Sequence, residues 1–253
     1  MSNNKIAIVT GGSRGLGKNM ALRLADYSND VIITYNTQKE AADAVVKEIE
    51  AKGKNAAALQ FNAAEFASIN SFIDAVAETL QSKWNTSTFD YLINNAGIGA
   101  TIPFAQATEE DFDQFLNIHF KSVYFLTQRL LPKMNDNGSI INISTGTTRF
   151  ANPGYSIYAS MKGAIEVFTK YLAKEVGARG INVNVVAPGP IETDFNNAAI
   201  RNNPDRKKMM GSLTALGRVG AAEDIGGVVA FLCSKDAKWI NGQRIEASGG
   251  INL

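Results

Sequence analysis

Short runs of β-branched and other apolar residues alternate along the chain with longer stretches in which apolar positions recur every three or four residues. The runs at 5–9, 30–35, 55–60, 89–93, 138–143, 181–186 and 243–246 predict strands, and the periodic stretches near 15–27, 38–52, 66–83, 108–134, 156–179 and 221–233 predict helices. The first five runs are mostly continuous in apolar character, which suits a parallel sheet covered by helices on both faces. Strand–helix–strand repetition at this spacing implies right-handed crossovers. The expected fold class is α/β: one Rossmann-type, doubly wound parallel sheet of about seven strands, in a single domain spanning 1–253. The segment 189–220 interrupts the alternation. It is polar, is broken by Pro190 and Pro204, and reads as one or two short helices over the C-terminal edge of the sheet, with a substrate lid at 189–215.

Composition narrows the chemistry. The 253 residues include one cysteine, Cys233, and one histidine, His119, which exclude an intrachain disulfide and any multi-histidine or multi-cysteine metal site. Twenty-five basic residues against 24 acidic ones create no field for nucleic acid or an anionic membrane. The longest apolar runs, such as Val228 to Cys233, fall far short of the ~20 residues that span a bilayer. The N-terminal residues lack a signal-peptide pattern. The expectation is a cytoplasmic protein with neither a nucleic-acid nor a membrane partner.

The chemistry begins where the first strand ends. Thr10-Gly11-Gly12-Ser13-Arg14-Gly15-Leu16-Gly17 joins the first strand to the first helix. Glycine lets the backbone approach a phosphate closely, and the helix N-terminus offers free N–H groups and a favourable dipole. Gly11, Ser13, Arg14, Gly15, Leu16 and Gly17 are therefore candidate dinucleotide contacts, against the plainer possibility of a tight turn with no ligand. No Lys-Ser/Thr follows the last glycine, so a P-loop is excluded.

The end of the second strand bears on which dinucleotide. Binders of NAD place an acid there for the ribose hydroxyls, but Tyr35, Asn36 and Thr37 offer none. Arg14, or Lys39, could pair with an additional phosphate, because a guanidinium fork matches phosphate geometry. The expected cofactor is NADPH/NADP+.

Tyr158 and Lys162 stand four apart at the start of a predicted helix, on one face. A phenol titrates near pH 10 and is a poor acid–base group at neutral pH; a neighbouring ammonium would lower its pKa. Ser144 ends the fifth strand, at the edge where ligands bind in such sheets.

These motifs, taken in order with Asn94-Asn95-Ala96-Gly97, Asn117 and Pro188-Gly189 followed by Thr193, resemble the short-chain dehydrogenase/reductase family over essentially the whole chain. Within it the sequence is most similar to the NADP-preferring 3-oxoacyl-carrier-protein reductases and related carbonyl reductases. The resemblance implies roles at matching positions. Tyr158 would be the proton donor, Ser144 the hydrogen-bond partner of the carbonyl oxygen, and Lys162 a ligand of the nicotinamide ribose. Asn117 would hold a relay water. Asn94, Ala96 and Gly97 would pass the cofactor's ribose and adenine side. Asn62 and Ala63 would lie near the adenine, where relatives often carry an acid. Pro188, Gly189, Ile191 and Thr193 would frame the nicotinamide. The partner would be a small-molecule carbonyl or an acyl thioester, and the assembly a homotetramer.

Other readings remain beside this one. An NAD-dependent alcohol or sugar dehydrogenase uses the same scaffold, and a nucleotide-binding regulatory protein would have lost the chemistry. Arg149 and Phe150 could touch substrate or be structural. His119, about 200° around a regular helix from Asn117, is expected to point away from the catalytic face. Cys233 is expected to be buried and inert.

Overall fold

The computed structural model describes residues 4–253. Seven strands form one parallel sheet in the order β3-β2-β1-β4-β5-β6-β7. They are β1 (Ile6–Val9), β2 (Asp30–Tyr35), β3 (Ala56–Gln60), β4 (Phe89–Asn94), β5 (Met134–Ile143), β6 (Asn182–Pro188) and β7 (Arg244–Ala247). The order reverses between β1 and β4, and that switch point is where open α/β sheets bind ligands, beyond the carboxyl ends of their strands.

Helices cover both faces, which is why the central strands carry few polar residues. Helices α1 (Gly15–Asp26) and α2 (Lys39–Glu50) pack on one side. Helix α3 (Ser68–Trp84) packs on the other, with α4 (Glu109–Leu116), α5 (Ser122–Leu130) and α6 (Ser156–Val176). Two short segments, α7 (Phe195–Ala198) and α8 (Pro204–Ser212), rise over the C-terminal edge, and α9 (Glu223–Leu232) returns to pack on α1. Alternate residues of β5 feed the two cores: Ile141 and Ile143 join the α1–α9 side, Ile140 the α6 side.

Two predicted elements differ. Strand β5 begins at Met134 rather than at 138: Met134 pairs with Phe89 before a register shift, in a stretch where Asn137 turns at φ +61°. The continuous helix expected over 108–134 is four consecutive segments. A capping box between Thr108 and Asp111 starts α4, a π-turn at Asn117–Lys121 separates it from α5, and a 3₁₀ turn at Leu131–Lys133 ends the run. A π-turn accommodates one extra residue and often marks a functional site. It rotates the side chains of the next turns away from the directions a regular helix would give them.

Candidate active site

The glycine loop is held by the end of β4. Thr10 Oγ1 accepts the N–H groups of Asn95 (2.9 Å) and Ala96 (3.0 Å). Asn95 Nδ2 donates back to the carbonyls of Thr10 (2.8 Å) and Gly11 (3.2 Å). The loop packs tightly enough that a Cβ on Gly17 would stand 2.1 Å from the Gly11 oxygen. Gly11 itself sits at φ +66°, a conformation only glycine adopts without cost. The first turn of α1 therefore presents its free N–H groups to the space above β1 and β4.

That space is a cavity of about 810 Å³ running from the glycine loop to α7 and α8. It is lined by Gly11, Ser13, Arg14, Gly15, Leu16 and Gly17, by Tyr35, Asn36 and Thr37, and by Asn62, Ala63, Ala96 and Gly97. Farther along stand Tyr158, Lys162, Pro188, Gly189, Ile191 and Thr193. Arg14 is exposed on this wall, and among the described residues its guanidinium has neither an ion pair nor a hydrogen bond. Lys39, the other candidate for a phosphate, pairs with Asp43 at 2.7 Å and lies off the cavity. The Asn62 amide is engaged locally, accepting from Ala64 N (3.1 Å) and donating to Glu65 (2.8 Å).

Asn94 is not a cavity residue. Its amide Nδ2 donates to Thr127 (3.0 Å) and Asn142 (2.8 Å) deep between the sheet and α5. Alternation within β4 turns it inward and leaves Asn95, the clamp of the glycine loop, on the cavity wall. Arg149 is also structural. It forks onto Glu246 (2.9 and 2.8 Å) and donates to the carbonyls of Ile251 and Asn252. Phe150, in contrast, reaches the cavity.

At the Tyr158 end, Ser144 does not take the place expected of it. Ser144 Oγ donates to Glu166 Oε1 at 2.7 Å. The same carboxylate oxygen receives Thr148 Oγ1 (2.7 Å) and Arg244 Nε (2.8 Å). Ser144 thus continues the side of β5 that sends Asn142 to Thr169 on α6 (2.8 Å), two residues earlier on the strand and one turn along the helix. The next hydroxyl, Thr145, is the one that meets Tyr158. Thr145 Oγ1 accepts from Thr147 N (3.3 Å) and Thr147 Oγ1 (3.2 Å), which leaves its own proton free to donate. Two adjacent hydroxyls and the two-residue period of a strand are the sequence signal that separates them.

Tyr158 is packed edge-on against His119 and Phe115, with centroids 5.2 and 6.3 Å away. Burial pushes its phenol up to about 12, and the neighbouring Thr145 hydroxyl works in the opposite direction. Lys162 Nζ donates to the Ile143 carbonyl at 2.7 Å and lies 5.8 Å from the Tyr158 ring centre. Burial brings the lysine down to about 8. The expected lowering of the tyrosine by the lysine is not found: burial dominates, and the influence that opposes it comes from Thr145. Asn117 opens the π-turn, half-buried, and does not line the cavity, whereas His119 does. The expectation that His119 faces away is overturned: Asn117 and His119 do lie on opposite sides, and it is His119 that faces the cavity.

The segment 189–215 meets this centre. Thr193 lies over Gly15, whose added Cβ would fall 3.7 Å from Thr193 Cβ. Phe195 sits 6.2 Å from the Tyr158 ring centre and occupies the space a Cβ on Gly99 would need. The Tyr155 hydroxyl accepts from Thr101 (3.2 Å), Asn196 (3.1 Å) and Arg206 (3.1 Å), joining the loop after β4 to α7 and α8.

A family model described as enoyl-(acyl carrier protein) reductase matches residues 11–252. The chain is a short-chain dehydrogenase/reductase. Such reductases include the 3-oxoacyl-[acyl-carrier-protein] reductase FabG of Staphylococcus aureus (strain Mu50 / ATCC 700699), to which it is 37% identical over all of both chains. Among solved structures it is similar to the promiscuous reductase LugOII, which catalyses keto-reduction at C1 in lugdunomycin biosynthesis, with a TM-score of 0.94, 35% identity and 98% of each chain covered. It is equally similar to the angucycline C-6 ketoreductase LanV with bound NADP, with a TM-score of 0.94, 35% identity and 98% and 96% of the two chains covered. The seven-stranded parallel sheet is the fold of this short-chain reductase family. Among the described residues no helix is long and apolar enough to cross a membrane.

Proposed function

We propose that this short-chain reductase is an NADP(H)-dependent oxidoreductase that reduces a ketone or 3-oxoacyl group to a secondary alcohol, with Tyr158 as the proton donor. The observation that carries this is one continuous cavity joining Arg14 and the glycine loop to the Tyr158 phenol. The relatives' activities and the NADP bound by one of them agree with it.

The residues present fit the cofactor: a cradle closed to any Cβ at Gly17, free helix N–H groups for the pyrophosphate, and Arg14 unpaired where an acid is missing at Tyr35, Asn36 and Thr37. NADPH, when bound, supplies the hydride. The protein's part is to place the carbonyl and to manage the proton. The Tyr158 phenol is neutral across the physiological range and so holds the proton that the forming alkoxide takes. The Thr145 hydroxyl, with its proton free, hydrogen-bonds the oxygen as negative charge develops. The Lys162 ammonium, charged below about 8, supplies positive charge beside the phenolate that the transfer leaves.

The cavity's far wall carries a group of apolar side chains, Ile98, Phe150, Phe195, Ile200, Met209 and Leu213, beside the polar Thr101, Asn196 and Arg206. This supports an apolar carbonyl substrate or acyl thioester. The segment 189–215 serves as its lid. We infer further that the enzyme is cytoplasmic and a homotetramer; apolar side chains exposed on α5 and α6, Tyr124, Val167 and Tyr171, support burial against other copies. The test is NADPH oxidation against a panel of cyclic ketones and acetoacetyl thioester, with light scattering for the mass. Oxidation of NADH but not NADPH would overturn the cofactor assignment, and a monomer mass would overturn the assembly.

A further inference from the structure

His119 is buried, 1% exposed, yet it lines the cavity. Its Nε2 accepts the Ile98 N–H at 3.4 Å, which places the proton of the neutral ring on Nδ1. That Nδ1 is itself buried, and among the described residues it has no hydrogen-bond partner. A buried donor without a partner is costly, and such groups in native folds are commonly satisfied by an ordered water or a ligand.

The surroundings are shaped around this ring. Phe115 stacks on it at 5.3 Å, and Tyr158 meets it edge-on at 5.2 Å. Gly97 leaves room for its outer edge: a Cβ there would stand 2.8 Å from Cε1 and 3.2 Å from Nδ1. The ring is carried at the middle of the π-turn. The titratable groups against it are Tyr158 and Lys162, both on α6. Burial and the Lys162 charge hold its pKa well below the ordinary histidine value, so it stays neutral.

We propose that His119 is a positioning residue of the Tyr158 centre: an imidazole that accepts the Ile98 N–H on Nε2, packs edge-on against the Tyr158 ring and donates from Nδ1 to a water molecule beside Tyr158 and Lys162. It neither gives up nor takes up a proton during turnover. The proposal rests on the reading of Tyr158 as proton donor, and it assigns to His119 the water-holding role expected of Asn117.

The experiment compares His119→Phe, His119→Asn and Tyr158→Phe. Phenylalanine keeps a flat ring against Tyr158 but has neither nitrogen. Asparagine can accept from Ile98 N and donate to the water. Each variant is read by NADPH titration, thermal unfolding and single-turnover reduction of a cyclohexanone or acetoacetyl thioester that the wild-type enzyme accepts. A positioning loss of this kind is worth roughly ten- to a hundredfold. The single-turnover rate of His119→Phe should fall by that factor with NADPH affinity unchanged, and His119→Asn should return to within about threefold of wild type. A folded His119→Phe at the wild-type rate overturns the proposal, as does a His119→Asn as slow as the phenylalanine variant. If the phenylalanine ring prevents folding, His119→Ala is read against the same two outcomes. An active Tyr158→Phe would instead overturn the underlying reading, so the two failures are separable.

Discussion

The Ser144 hydroxyl donates to Glu166 at 2.7 Å, on the α6 side of the sheet, while the neighbouring Thr145 is the hydroxyl that meets Tyr158. Glu166 also gathers Thr148 and Arg244. Arg244 binds Glu246, which Arg149 and Ser248 also hold and which is drawn down to about 2 by these partners. Ser144 is therefore one member of a network that ties β5 and α6 to β7.

Thr145→Ala should slow the chemical step by roughly 10²–10³-fold, the usual cost of removing one donor to a developing oxyanion. Ser144→Ala should leave single-turnover reduction within about twofold and cost roughly 0.5–1.5 kcal/mol of stability, since Glu166 keeps its other two partners. Single-turnover rates and thermal unfolding of the two variants check this. The reverse ranking of rates would restore Ser144 to the catalytic role.

Arg14→Ala should weaken NADPH selectively. A charge-assisted hydrogen bond is worth roughly 1.5–3 kcal/mol, or about ten- to a hundredfold in Kd. NADH affinity should hardly move. Titration of both coenzymes decides, and equal weakening would mean that Arg14 does not read the additional phosphate.

Much of the site was legible because its signals are local. A glycine cluster between a strand and a helix, and a Tyr–Lys pair one turn apart, are visible in the chain without its fold. What misled was direction within an element. Asn94 and Ser144 lie at strand ends, and the pleat turns their polar groups toward α5 and α6: Asn94 leaves the cavity wall to Asn95, and Ser144, which still lines the cavity, commits its hydroxyl to Glu166 and leaves Thr145 to meet Tyr158. Helical periodicity sets Asn117 and His119 on opposite sides but does not say which of them faces the cavity, and the structure gives that side to His119. Arg149 was ambiguous because its partners, Glu246 and the carbonyls of Ile251 and Asn252, lie about a hundred residues away in sequence. The seven strands, whose apolar runs are dictated by burial on both faces, were placed to within a few residues, β5 differing most.

Activity should depend on pH through Lys162. Burial lowers this lysine to about 8, so the ammonium is present below that pH and is lost as pH rises through it. Tyr158, raised to about 12, keeps its proton over the same range. Reduction should hold a plateau at neutral pH and decline above about 8, whereas a decline setting in at pH 6–7 would assign the limb to another group. The measurement is kcat/KM for ketone reduction across that range.

Tyr155→Phe should loosen the lid, because one hydroxyl accepts from Thr101, Asn196 and Arg206. Hydrogen exchange within 189–215 should quicken, and KM for the carbonyl substrate should rise by roughly tenfold, with a smaller effect on NADPH binding. Exchange in that segment unchanged by the substitution would show that the three bonds do not hold it.

The most direct test of the central claim is a paired measurement on Tyr158→Phe: NADPH titration together with single-turnover reduction of a ketone that the wild-type enzyme accepts. The substitution keeps the ring against His119 and Phe115 and removes only the hydroxyl. With Tyr158 as the proton donor, NADPH binds with wild-type affinity and the reduction slows by about 10²–10⁴-fold or more. Normal NADPH binding with reduction at the wild-type rate would contradict the assignment of the proton to Tyr158.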